Sequence, residues 1–223
     1  MFGSNPKRPP IHGDGTMLDV QEIFPTFQGE GPFTGRNAVF IRLGGCNLAC
    51  TFCDTEFESY HAMALEQIMI RTHALAQRMI APLVVISGGE PLRQPIEPLC
   101  RALLDAGMTV QIETNGTLFR PLPSEVHIIC SPKAPSGTYG IIRHDLLERC
   151  TALKFIISAT NPAYSDVPDV GQSSLGRTIP IYVQPMDEYD DHKNAQNFAH
   201  TVALARKGGY VLGMQLHKIF GVA

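Results

Sequence analysis

"NAVFIRLGGCNLACTFCDT", residues 37–55, decides how this chain is read: an apolar run of strand character ends in a double glycine, and three cysteines follow within eight positions. A β-rich run that empties into a tight turn marks the carboxyl end of a buried strand. Three thiols so close together are one short of a closed structural zinc site, which takes four ligands, commonly from two separated pairs. The chain has no second CxxC pair. An iron-sulfur cube is usually held by four thiolates, so a cube on Cys46, Cys50 and Cys53 alone keeps one iron open to a small molecule. His61 as a fourth ligand to zinc is the alternative reading.

Outward from this stretch, similar apolar runs recur at 18–24, 83–87, 109–113, 126–131, 153–158, 179–184 and 210–215. Most are continuous rather than alternating, as in strands covered on both faces of a parallel sheet. Helical patterns separate several of them. Leu65, Ile68, Met69, Thr72, Ala76 and Met79 share one face of a helix over 62–80, Leu99, Leu103 and Ala106 do so in a second that stops at Gly107, and a third covers 194–207 before Gly208 and Gly209. Alternation of this kind predicts an α/β fold, a curved, mostly parallel sheet or partial (β/α) barrel with helices outside. Residues 160–176 read as a long surface loop.

In such folds ligands bind where loops converge at the carboxyl ends of the strands. Cys46, Gly88-Gly89, Glu113, Ser131-Pro132-Lys133 and Gln184-Pro185 each follow a different run, so one shared pocket is expected. Gly88 and Gly89 are expected to offer exposed backbone N–H groups to an approaching ligand.

With 223 residues, 44% of them hydrophobic and 17% charged, the chain suits one compact domain, and a net charge of -3 disfavours a nucleic-acid partner. The polar, Pro- and Gly-rich residues 1–17 read as a flexible arm before a single domain at 18–223, with no leader and no apolar run of membrane-spanning length, so a cytoplasmic protein is expected. Cys100, Cys130 and Cys150 are scattered in apolar stretches and read as core thiols.

Cys46-x3-Cys50-x2-Cys53 with "ISGGEP" at 86–91 resembles the radical S-adenosylmethionine (SAM) enzymes. Together with "QGEG", "CDT", "QIETNGT", "CSPK", "VQP" and the terminal "MQLHKIFGVA", the chain from about Leu18 to Ala223 is similar to the 7-carboxy-7-deazaguanine synthases, the QueE family of queuosine biosynthesis. The resemblance implies a lyase that converts 6-carboxy-5,6,7,8-tetrahydropterin to 7-carboxy-7-deazaguanine by a radical ring contraction with loss of ammonia.

It further implies a [4Fe-4S] cluster on Cys46, Cys50 and Cys53, SAM against Phe52, Cys53, Asp54, Gly89, Glu113, Ser131, Pro132, Lys133, Gln184, Pro185, Met186 and Asp187, and Mg²⁺ on Thr55. Substrate contacts fall on Phe27, Gln28, Gly29, Arg42, Ser87, His217 and the terminal carboxylate of Ala223. Arg42 suits a bidentate grip on the substrate carboxylate. Phe27 and Ser87 stand where the family commonly has an aliphatic residue and Thr. A flavodoxin or ferredoxin as electron donor and a homodimer are implied as well. The rivals are an activase-type radical SAM enzyme and a zinc-stabilised module without catalysis.

Overall fold

The computed structural model describes residues 5–51, 53 and 55–222. Nine strands form one sheet in the order β3-β1-β2-β4-β5-β6-β7-β8-β9. They are β1 (Met17–Phe27), β2 (Asn37–Leu43), β3 (His61–Ala64), β4 (Leu83–Gly88), β5 (Thr109–Thr114), β6 (His127–Cys130), β7 (Cys150–Ile157), β8 (Ile181–Pro185) and β9 (Val211–Leu212). The helices are α1 (Leu65–Ala76), α2 (Glu97–Asp105), α3 (His144–Arg149), α4 (Asp191–Gly208) and α5 (Leu216–Phe220). From β2 to β9 every neighbouring pair is parallel, while β1 joins β2 and β3 antiparallel. The fold is the expected α/β arrangement with a mostly parallel sheet.

Strand alternation decides where the site lies. On one face Val39, Ile41, Val84, Ile86, Val110, Ile112, Phe155 and Ile157 pack into a continuous core with α1 and α2 residues such as Ile68, Leu99 and Leu103. The opposite face carries Phe40 and Arg42 of β2, Ser87 of β4, Glu113 of β5, and Lys154 and Ile156 of β7, all lining one cavity. The runs looked doubly apolar because only a few inner positions are polar.

Several boundaries differ from the sequence reading for identifiable reasons. Residues 61–64 belong to β3 and not to the first helix, because they pair with Met17–Val20 of β1. β9 keeps only two residues of its predicted run, and α5 takes the chain end. α4 begins earlier than expected, with Asp190 as N-cap accepting the Lys193 N–H at 2.9 Å, and ends at Gly209 in the left-handed region. Cys100, Cys130 and Cys150 are buried free thiols, as read from their apolar settings. Among the described residues no helix is long and apolar enough to cross a membrane.

Candidate active site

A cavity of about 510 Å³ opens over the inner face of the sheet, at the carboxyl ends of β2, β4, β5, β7 and β8. The local backbone explains why the loops converge there. Gly88 has φ +125, and a Cβ on it would overlap the Leu43 backbone; one on Gly89 would overlap the Gly45 carbonyl. Only glycines let the end of β4 pass this close beneath the cysteine loop. Their N–H groups, expected to face a ligand, are instead used internally: Gly88 donates to Ser87 Oγ and Gly89 to the Leu43 carbonyl at 3.1 Å.

Glu90 completes this junction. Fully buried, it accepts from Leu92 N–H (2.9 Å), Thr114 Oγ1 (2.8 Å) and Asn115 N–H (2.8 Å), fastening the β4 end to the β5 end. Burial pushes its pKa up despite these donors.

Cys46, Cys50 and Cys53 all line the cavity, and the Cys53 N–H donates to the Cys50 carbonyl at 3.2 Å. Burial raises the Cys46 thiol to about 11, and burial also raises Cys50, with Lys133 and Lys7 pulling the other way. Among the described residues no three His, Cys, Asp or Glu side chains are gathered tightly enough for a single ion. Three thiols spread around one opening suit a cube, in which each cysteine meets a different iron. The residues therefore fit a [4Fe-4S] cluster.

The floor of the cavity carries a charged cluster of which sequence reasoning singled out only Glu113. Lys154 Nζ lies 2.5 Å from Glu30 Oε2 and 2.8 Å from Glu113 Oε2. Glu30 also accepts from Gln215 Nε2 at 2.8 Å, and Glu113 Oε1 from Gln111 Nε2 at 2.6 Å. Burial works against ionisation of Glu30, but the charge and hydrogen bond of Lys154 outweigh it and hold the carboxyl near 2. Burial wins at Glu113, whose pKa is raised, since it sits farther from the ammonium and beside the Glu30 charge. Burial also lowers Lys154, yet Glu113 and then Glu30 reverse the sign and raise it. One clue was available in the sequence: Lys154 interrupts an apolar run, and a lysine inside a buried strand needs a partner.

Most other predicted site residues meet at this cavity. Phe27, Gln28, Arg42, Thr55, Ser87, Gly89, Glu113, Ser131, Lys133, Gln184, Pro185, Met186, Asp187 and His217 line it. Gly29 and Pro132 do not. Gly29 serves the site differently, because a Cβ there would collide with the His217 ring. Phe52, Asp54 and Ala223 lie outside the described residues.

Other expected ligand contacts also have partners within the chain. Gln28 Oε1 accepts the Glu30 N–H at 3.1 Å and its Nε2 reaches Glu113, so its amide shapes the floor. Lys133 Nζ donates to Ser131 O and Oγ, both at 2.7 Å. Arg42 forms an ion pair with Glu22 and lies over the Phe24 ring at 5.2 Å, while its Nε is buried without a partner among the described residues. Asn115, not singled out as a site residue from sequence, reaches Cys46 Sγ at 3.9 Å and Asn47 Oδ1 at 3.0 Å.

Comparison with known proteins fits this geometry. Residues 40–130 match the Radical SAM superfamily. The chain is 52% identical over its whole length to the 7-carboxy-7-deazaguanine synthase of Rickettsia prowazekii, covering 96% of that protein, and 40% identical to that of Rhodospirillum rubrum with full coverage of both. It belongs to the 7-carboxy-7-deazaguanine synthase family. The crystal structure of QueE from Escherichia coli superposes with a TM-score of 0.74 at 27% identity, covering 89% of this chain and 94% of that one. A 7-carboxy-7-deazaguanine synthase fold thus supplies the cavity, and family membership makes this a radical SAM enzyme with a [4Fe-4S] cluster and SAM as cofactors.

Proposed function

We propose that the chain is a 7-carboxy-7-deazaguanine synthase, converting 6-carboxy-5,6,7,8-tetrahydropterin to 7-carboxy-7-deazaguanine with release of ammonia. The observation that carries this reading is the meeting of three thiols, the Arg42 guanidinium and a buried acid-lysine floor at one cavity. When bound, the cluster and SAM supply the one-electron cleavage that starts the rearrangement. The rest is the work of side chains.

Arg42, with its buried Nε awaiting an acceptor, is the group for the substrate carboxylate. Glu30 stays ionised on the floor, held by Lys154 and Gln215, and is a carboxylate suited to accept from the N–H groups of a pterin. Gln184 is 2% exposed and its Oε1 has no partner among the described residues, which suits an acceptor for the SAM amino or hydroxyl groups. Lys133 and Ser131 line the same wall, and Asp187, bonded to Lys218 at 3.0 Å, ties the chain end to it.

Phe52, Cys53, Asp54 and Gly89 complete the SAM side, and Phe27, Ser87, His217 and Ala223 the substrate side. Mg²⁺ on Thr55 belongs to this proposal; a single hydroxyl leaves most of an octahedral shell to substrate oxygens and water. A small acidic electron carrier of the flavodoxin or ferredoxin type, a homodimer and a cytoplasmic location also belong to it. So does a single catalytic domain over 18–223.

An anaerobic assay with SAM, a reductant, Mg²⁺ and the pterin acid tests the reading. Formation of 7-carboxy-7-deazaguanine is the expected result. SAM cleavage without that product would favour an activase, and a colourless protein holding one zinc ion would end the proposal.

A further inference from the structure

Residues 5–11 run across the outside of the cysteine loop. Lys7 pairs with Cys46 in a parallel backbone bridge, and the Arg8 N–H donates to the Cys46 carbonyl at 2.7 Å. The Arg8 guanidinium holds Glu58 Oε2 from two nitrogens, at 2.7 and 3.1 Å, and Asn5 Nδ2 donates to the Thr55 carbonyl at 3.3 Å. One short segment thus grips the loop at its first ligand and again beyond its last.

The segment is itself fastened to the domain. Arg93, only 3% exposed, donates from Nη1 to the Pro9 carbonyl and from Nη2 to the Gly44 carbonyl, both at 3.0 Å. Its own carbonyl accepts the Ile11 N–H at 2.7 Å, and Arg120 Nη2 donates to the Ile11 carbonyl at 2.5 Å. Arg93 therefore couples the arm to the end of β2, where the cysteine loop begins.

The loop needs such help. Its described residues form no helix or strand between β2 and β3, and a Gly45 N–H to Phe57 carbonyl bond of 2.9 Å closes its base. Ordering free backbone costs about 1–2 kcal/mol per residue, so a loop that must present three thiols in fixed geometry gains from ties outside it.

We propose that residues 5–11 form a strap that positions the cysteine loop for the cluster and covers its outer side. This rests on the reading of Cys46, Cys50 and Cys53 as cluster ligands. The strap is a positioning device and touches no substrate.

Hydrogen exchange on the metal-free, reduced chain isolates the mechanical part. Deleting residues 1–10 is expected to speed exchange over 44–58 by about tenfold, since several hydrogen bonds are lost, and Arg8→Ala by up to about fivefold. Exchange in β4 to β7 serves as the internal standard and stays unchanged. Arg8→Ala keeps the test open should the deletion fail to fold. Unchanged loop exchange in both variants would overturn the strap.

A loop that loosens in variants of a chain that takes up no iron would support the strap while overturning the cluster reading.

Discussion

Lys154→Met tests the charged floor most directly. Among the described residues Lys154 is the one cation bonded to both Glu30 and Glu113; Lys154 is buried and the two carboxylates are largely shielded. For Glu30 the displacement from 4.5 to about 2 corresponds to about 3 kcal/mol of differential interaction. Removing one partner of a buried ion pair costs about 3–5 kcal/mol, because the other charge stays behind unpaired. The two figures agree, so a loss of about 3–5 kcal/mol is expected for the metal-free chain near neutral pH.

The sign of the pH dependence sharpens the test. In the parent chain the Glu30 pKa is depressed, so its contribution is complete above 4.5 and disappears as pH falls toward 2. In the variant, burial acts on two neighbouring carboxylates with no ammonium between them, and their pKa values rise. Protonation then relieves the strain, and the deficit shrinks as pH is lowered from about 8 to about 5. Urea unfolding across that range measures it, with exposed Lys207→Met as control. A loss below about 1 kcal/mol, or one independent of pH, would refute the assignment of Lys154 as the counter-charge.

Cys50→Ser is expected to give a colourless protein after anaerobic reconstitution, with metal-free stability within about 0.5 kcal/mol of the parent, checked by iron content and urea unfolding. Gly89→Ala drives a Cβ into the Gly45 carbonyl and should abolish cluster uptake, whereas Gly107→Ala, at φ +77 with nothing near, should cost only about 1–2 kcal/mol and keep the cluster. Glu90→Gln turns one acceptor oxygen into a donor against N–H and O–H groups, and the melting temperature should fall by several degrees for a cost of about 1–3 kcal/mol. A tag fused after Ala223 is expected to reduce turnover, and equal rates for that fusion and the untagged chain would contradict the role of the chain end.

Local patterns were enough to determine part of this protein. Cys46, Cys50 and Cys53 are close in sequence, so their spacing alone marks them as one metal-binding group, and runs such as 37–43 and 83–87 carry their strand character in every residue. The rule that ligands gather at strand ends was likewise readable, because each polar motif follows an apolar run. The use of those motifs was not. Gly88 and Gly89 look like ligand-facing amides until β4 is laid beside β2, where their N–H groups and missing side chains are consumed by close packing.

Long-range pairing belongs to the tertiary structure alone. Lys154 lies 124 positions from Glu30 and 41 from Glu113, and no local period relates them. Parallel β5 and β7 bring Glu113 and Lys154 to one inner face, the connection from β1 to β2 adds Glu30, and only there does an isolated lysine in an apolar strand find its counter-charges. Residues 5–11 make the same point at the surface: as sequence they are polar and unpatterned, and their order comes from Arg93, Arg120 and the cysteine loop. Chemistry that resides in neighbouring residues is legible along the chain, whereas chemistry that depends on burial requires the fold that creates the burial.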